Sequence, residues 1–358
     1  MCEACDSQWL EIGEMMLGIA FGTRPEWIKI EPVCVELRER NIPFQLIFTG
    51  QHKDLVSESK IMNLGATKFT VASLEDNYGS GTRLDGIVSE LLCDPPGLRD
   101  RGDVTALVVQ GDTSSAFAMA LAAFHRQIPV IHLEAGLRTH NLEQPFPEEA
   151  NRQMISCIAA LHLCPTKLAR DHIIRENKHL QSHGAVITGN TSLDNIKDVK
   201  TSIEKRVLVT IHRRENHEDL ESWFRNIDEL AKQHLDYEFL LPLHPNPNVI
   251  KYKDNMKHVR VTDPMPHQEL VQYLASCEYV ITDSGGIQEE AAFLRKPCMV
   301  CRKETERTEG LGNFSILCKS PEDVSDVYSK LPHLLLAGPC PYGDGHASEK
   351  VVNAIQKI

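Results

Sequence analysis

No run of this chain comes near the roughly 18 uninterrupted apolar residues of a membrane-spanning helix. The long apolar segment from Leu107 to Leu133 is broken by Gln110, Asp112, His125 and Arg126. A basic excess is missing too. The 38 Lys and Arg stand against 50 Asp and Glu, a formal net charge of −12, whereas a protein that coats nucleic acid needs a basic face. Residues Met1 to Met16 hold Glu3, Asp6, Glu11 and Glu14 but no Lys or Arg, unlike the basic start of a secretory leader. The cytoplasm is therefore the expected location, with neither membrane nor nucleic acid as a partner, and residues 1–16 are expected to form a disordered tail. Internal repeats and low-complexity segments are absent from the sequence, and so is the Gly-x-Gly-x-x-Gly fingerprint of nicotinamide and flavin enzymes.

What is present is the composition of an ordinary folded protein, 42% apolar and 25% charged. A chain of 358 residues exceeds the size at which one core keeps growing, which predicts two domains with a ligand in the cleft between them. The 11 cysteines are scattered; Cys34, Cys157, Cys164 and Cys298 fall in apolar runs and read as reduced, core-filling thiols. Cys298 and Cys301 lie three apart in a predicted strand, so they point to opposite faces and cannot chelate one ion.

Short apolar runs alternate with Gly- or Ser-bearing turns and amphipathic helices, the pattern of a parallel sheet with helices on both faces. The pattern predicts strands at Leu17–Phe21, Phe44–Phe48, Ala106–Val109 and Pro129–Leu133, and helices at Ser114–Arg126 and Glu148–Leu161. Pro25 suits the first turn of another helix, in which Ile30, Val33 and Leu37 share a face. After the polar stretch Thr188–Lys205, a second series places strands at Arg206–Thr210, Glu238–Leu241, Val259–Val261, Glu278–Thr282 and Pro297–Val300. The expected fold is α/β, with two facing Rossmann-like domains at 17–187 and 188–341 and a C-terminal helix within 342–358 packing back on the first.

Ligands of open α/β sheets bind beyond the carboxyl ends of strands, and those positions are rich in chemistry. They carry Arg24 and Lys29, Asp112, Glu134 and Arg138, then Glu148 with Arg152 one helical turn on, and in the second half His212, His244 and Asp283-Ser284-Gly285-Gly286. A Ser-Gly-Gly turn opening a helix exposes backbone N–H groups and lets a diphosphate come close. Glu290, four residues beyond Gly286, lies on the same side of that helix, where a carboxylate suits ribose hydroxyls. Each also has a plainer reading: Asp112 as a helix cap, His212 as a core histidine, Arg213 and Arg214 as a solvated pair, Ser284-Gly285-Gly286 as a tight turn. Glu149 and Glu289 are expected to be solvated.

Nine ordered blocks carry a resemblance: GTRPEWIKIEPV at 22 to 33, TGQHKDL at 49 to 55, QGDTSSA at 110 to 116, HLEAGLRT at 132 to 139, PFPEEANR at 145 to 152, VTIHRREN at 209 to 216, PLHPNPNV at 242 to 249, TDSGGIQEEA at 282 to 291 and TER at 305 to 307. In them the chain resembles the non-hydrolysing UDP-N-acetylglucosamine 2-epimerases, which have the glycosyltransferase-B architecture. The resemblance implies elimination of UDP to 2-acetamidoglucal and its re-addition with C2 inverted, without metal or redox cofactor, on a UDP-N-acetylhexosamine substrate. It assigns catalytic roles to Asp112, Glu134, Glu148 and His212. Substrate binding falls to Arg24, Lys29, Arg138, Arg152, His244, Ser284, Gly285, Gly286, Glu290 and Arg307, and Gln51 with His52 match an allosteric motif. Relatives of this kind are commonly dimers, so a homodimer is expected.

The chain departs from the family at Trp27, Phe146, Pro245 and Thr308 and along Ser73 to Asp85. The alternatives left open are a hydrolysing epimerase that releases N-acetylmannosamine and UDP, an epimerase for a related UDP-N-acetylated sugar, a glycosyltransferase of the same architecture, and a silent sensor of UDP-sugars.

Overall fold

A computed structural model describes residues 16–51, 67–70, 83–98, 104–177, 184–243, 247–252 and 256–357. The tail at 1–15, His52, His244, Pro245 and nearly all of the Ser73–Asp85 stretch lie outside the described residues. The chain divides after Asp194 into two units, and the segment from His346 onward belongs to the first.

The first unit is built on a seven-stranded sheet of order β3-β2-β1-β4-β5-β6-β7, parallel throughout. Its strands are β1 Leu17–Phe21, β2 Phe44–Phe48, β3 Thr67–Thr70, β4 Ala106–Gln110, β5 Val130–Leu133, β6 Leu161–Cys164 and β7 Ala185–Ile187. Helices α1 Arg24–Glu39, α2 Arg83–Cys93, α3 Ser114–His125, α4 Glu148–Ile158 and α5 Lys167–Glu176 connect them. Both faces of the sheet are covered, as side-chain alternation requires: Ile19, Phe21 and Val108 join a core with Ile30, Val33 and Leu37 of α1, while Ala20, Leu107 and Val109 pack with Met119 and Ala123 of α3.

The second unit has a six-stranded parallel sheet of order β10-β9-β8-β11-β12-β13. It consists of β8 Glu204–Thr210, β9 Glu238–Pro242, β10 Arg260–Thr262, β11 Cys277–Thr282, β12 Cys298–Cys301 and β13 Ser315–Cys318, with helices α6 Leu220–Gln233, α7 His267–Ser276, α8 Gly285–Phe293 and α9 Val324–Lys330. Its core gathers Val207, Val209, Trp223, Phe224, Ile227, Ile281, Met299 and Cys301. Met299 and Cys301 share that core while Cys298 does not, the opposite-face placement expected of residues three apart in a strand.

Helix α10, Ala347–Ile355, closes the first unit. Val351, Val352 and Ile355 enter the α1 core, Arg40 donates to Asn353 Oδ1 at 2.6 Å, and the Asp194 carboxylate accepts the N–H groups of Ala347 and Ser348 at 2.9 and 2.7 Å. A carboxylate at a helix start satisfies orphan donors and complements the dipole.

The α/β class holds, with two Rossmann-like parallel sheets. Several element expectations do not. The helix predicted over Glu148–Leu161 ends at Ile158, where Ala159 turns extended, and Leu161–Cys164 is a strand; a short apolar run abutting a helix has no period of its own to reveal the change. Strands β3, β7 and β13, of 4, 3 and 4 residues, have no counterpart among the expected strands. The polar stretch from Thr188 ends at Glu204, where β8 begins. Cys157 is exposed rather than core-filling, unlike the buried Cys34, Cys164 and Cys298, because it lies on the outward side of α4.

Candidate active site

In each sheet the strand order reverses at one place, between β1 and β4 in the first unit and between β8 and β11 in the second. Strand ends flanking such a reversal leave a crevice, and Arg24, Lys29, Asp112, His212 and Ser284 follow those ends in the chain.

In the first unit, the turn after β1 is fixed by Glu26, a residue absent from the expected site set. Thr23 caps α1 and Glu26 completes a capping box, the Thr-x-x-Glu signature legible in the sequence. Glu26 Oε2 accepts from the N–H groups of Gly22 and Thr23 at 2.9 and 2.6 Å, and Oε1 accepts from the Thr113 hydroxyl at 2.7 Å. The β1–α1 and β4–α3 turns are thereby tied together. Burial raises the Glu26 carboxyl above its usual range despite these donors.

Arg24 stands exposed at the start of α1, and Lys29 sits half-buried one turn further on. Lys29 Nζ pairs with Glu134 Oε1, and Gln110 Nε2 donates to the other oxygen. Glu134 has a left-handed backbone, φ +66°, a conformation costing of order 1–3 kcal/mol for a residue other than glycine. The end of β5 thus holds this carboxylate at some expense of stability, and its Oε2 lies beside Gly111. Asp112 follows Gly111; its Oδ2 accepts from Arg152 Nε at 2.7 Å, and Asn151 Nδ2 donates to its carbonyl at 2.9 Å. Glu148, half-buried, opens α4 one turn before Arg152. The Lys29–Glu134 and Asp112–Arg152 pairs therefore lie on either side of Gly111 at the sheet's carboxyl edge, with Glu148 on the helix that carries Arg152.

Arg138 stands apart from that group. It is buried, forms an ion pair with Glu176 at 2.7 Å and donates to the Ser156 hydroxyl at 2.8 Å, joining α4 to α5. Gln51 Oε1 accepts from Ser115 at 2.6 Å; its motif partner His52 is outside the described residues. Glu149 is not solvated as expected. It is fully buried, accepting from Arg152 at 3.1 Å, Gln153 at 2.9 Å and the Thr139 N–H at 3.1 Å. Its neighbour one turn on is an arginine, so burial costs no unpaired charge.

In the second unit, Thr210 and Thr282 at the ends of β8 and β11 share a hydrogen bond of 2.6 Å. The buried Asp283 organises the loop holding His212. Ser284 caps α8 without using its hydroxyl on the helix, leaving that group and the first N–H donors at the helix start. A Cβ on Gly285 would lie 2.4 Å from Arg307 Nη1, whereas one on Gly286 meets only Ser284 Oγ, at 3.9 Å. Gly285 is thus a packing glycine and Gly286 an open one.

Arg307 is buried against Glu289 at 2.7 Å; Glu289 too is buried, not solvated. Glu290, also buried, accepts from His267 Nε2 at 2.9 Å, and its Oε2 has no hydrogen-bond partner among the described residues. Arg213 is half-buried, and desolvation together with the Arg302 guanidinium lowers its basicity. A desolvated cation at a strand end is matched by an anion.

Among the described residues no three His, Cys, Asp or Glu side chains gather as a metal site requires, and no helix is long and apolar enough to cross a membrane.

Known proteins are similar to this chain in sequence and fold. The chain is 35% identical to the UDP-N-acetylglucosamine 2-epimerase of Campylobacter jejuni across 95% of this chain and 97% of that one. It is 34% identical to the enzyme of the same name from Bacillus subtilis across 94% and 93%. Its structure is similar to that of the UDP-GlcNAc 2-epimerase of Neisseria meningitidis bound to UDP-GlcNAc, with a TM-score of 0.85 and 30% identity over 96% of this chain and all of that one. The fold is of the glycosyltransferase-B type. With the UDP-N-acetylglucosamine 2-epimerase model matching residues 35–356, the chain belongs to that family.

Proposed function

We propose that the protein is a reversible, non-hydrolysing UDP-N-acetylglucosamine 2-epimerase. The observation that supports this most is Glu134, held in left-handed backbone between Lys29 and Gln110 beside the Asp112–Arg152 pair. Two carboxylates, each with its own cation, suit a reaction that removes a proton from one face of C2 and returns one to the other.

In the forward direction a carboxylate takes the C2 proton while the bond from C1 to the diphosphate oxygen breaks. The C–H electron pair becomes the C1–C2 double bond of 2-acetamidoglucal, and UDP leaves with the C–O pair. Re-addition protonates C2 from the opposite face as the UDP oxygen bonds to C1. The C2 hydrogen is scarcely acidic, so its loss depends on stabilising the departing negative charge. Arg24, Lys29, Arg152, His212 and Ser284 are assigned to that task. Ser284, the α8 N-terminus and Gly286 take the phosphates, and the open Oε2 of Glu290 takes a ribose hydroxyl. Asp112, Glu134 and Glu148 take the hexose.

Incubation with UDP-N-acetylglucosamine in deuterated water, followed by NMR, tests the reading. UDP-N-acetylmannosamine deuterated at C2 supports it; free N-acetylmannosamine with UDP establishes the hydrolysing reaction instead, and UDP binding without turnover establishes a sensor. The working unit is assigned as a homodimer, and a monomer in sedimentation equilibrium at micromolar concentration contradicts that.

A further inference from the structure

We infer that Asp283 is a positioning residue for His212, holding the imidazole with Nδ1–H turned to the carboxylate so that Nε2 is the nitrogen turned away from it. The inference rests on the reading of His212 as a partner of the departing diphosphate.

Asp283 ends β11, next to β8 in the sheet, and its side chain is wholly buried. Its two oxygens do different things. Oδ2 accepts from the backbone N–H groups of His212 and Arg213 at 2.9 and 2.8 Å and from Asn216 Nδ2 at 3.0 Å, so one atom shapes the loop after β8. Asn216 also donates to the Cys301 carbonyl at 3.0 Å, fastening that loop to β12. Oδ1 is buried with no hydrogen-bond partner among the described residues and stands 3.7 Å from His212 Nδ1.

A buried carboxylate oxygen without a donor is costly, of order 1–3 kcal/mol or more. The imidazole of His212 is placed to supply that donor, because the backbone on which it pivots is held by the other oxygen of the same carboxylate. A small side-chain rotation shortens 3.7 Å to hydrogen-bond range. A neutral imidazole carries its proton on one nitrogen only, and a contact on one side decides which. Asp283 puts that proton on Nδ1. In the doubly protonated ring the same contact leaves Nε2–H facing away from Asp283. An asparagine at this position keeps the loop donors on its oxygen but turns an N–H toward Nδ1, which favours the opposite tautomer.

The test is read first on the resting protein labelled with 15N. The His212 ring, assigned by its loss in His212→Gln, is expected to be protonated at Nδ1 in the long-range 15N–1H spectrum, and Asp283→Asn to move that proton to Nε2. Asn216→Ala, which removes one loop donor but leaves Oδ1 alone, keeps the wild-type tautomer. In turnover, Asp283→Asn lowers kcat roughly 10- to 100-fold with UDP affinity within about threefold of wild type. The same substitution has no further effect on kcat in the His212→Gln background. A wild-type ring bare at Nδ1, or independent kcat losses in the double variant, overturns the inference. The wild-type spectrum decides even if Asp283→Asn does not fold. A protein that holds the Nδ1–H tautomer yet never turns over UDP-N-acetylglucosamine overturns the activity assignment instead.

Discussion

Lys29, on the helix after β1, forms an ion pair with Glu134 at the end of β5, two strands away in the sheet. The side chains are 13% and 9% exposed, so each is the other's main compensation for leaving water. Lys29→Met therefore does more than delete a surface charge. Epimerisation, followed as initial rates by NMR, is expected to fall by about 100-fold or more, the scale on which a positioned electrostatic contact acts. A loss below about threefold would remove this pair from the reaction centre.

Asp112→Asn and Glu134→Gln separate chemistry from binding. Each keeps the shape of the side chain and removes its ability to take a proton. Exchange of the C2 hydrogen with solvent is expected to vanish in both, while calorimetry finds UDP affinity within about threefold of wild type. Loss of UDP binding without preferential loss of exchange contradicts the assignment.

The two glycines at the start of α8 predict opposite outcomes. Gly285→Ala places a methyl 2.4 Å from the Arg307 guanidinium and pushes Arg307 off the buried Glu289, which is expected to cost about 2–4 kcal/mol in urea unfolding. Gly286→Ala meets nothing nearer than 3.9 Å, so stability changes by less than about 1 kcal/mol. Its methyl occupies the proposed phosphate approach, and UDP affinity is expected to drop about tenfold or more. The reverse order of the two stabilities would show that the turn is packed differently.

His132 gives a pH dependence of defined sign. It is wholly buried on β5, donates from Nε2 to the Gly111 carbonyl at 2.7 Å, and burial lowers its pKa from 6.5 to about 3. The unfolded chain binds the proton more tightly, so this group's contribution is complete above 6.5 and is lost as pH falls toward 3. Between pH 7 and 5 the loss is about 2 kcal/mol. Glu26, raised by burial, works in the opposite direction, so the comparison must be between wild type and His132→Gln. The variant's urea stability is expected to fall less over that interval; parallel profiles would show that His132 binds its proton in the fold as it does in the unfolded chain.

Much of this was legible before the structure. The β1, β4 and β5 runs and the chemistry at their ends follow from apolar length and from the rule that strand termini carry ligands. Glu134 stood out because an apolar strand ran into a residue that caps helices poorly, and it proves to have a left-handed backbone. What sequence concealed was pairing at a distance. Glu289 reads as solvated because nothing local shows that Arg307 turns onto it, whereas the partner of Glu149 is Arg152, one helical turn on. The ion pair of Arg138 with Glu176, 38 residues on, is likewise invisible locally. Asp283 shows in the sequence only as part of a turn, since its donors come from a loop 70 residues earlier.

The central claim is that the bond between C1 and the diphosphate breaks and re-forms during inversion of C2. Positional isotope exchange measures this directly, using UDP-N-acetylglucosamine with 18O in the oxygen that joins the sugar to phosphorus. The account predicts that 18O scrambles into the non-bridging positions of the β-phosphate while C2 acquires solvent deuterium. Inversion at C2 with the label held in the bridge would contradict it.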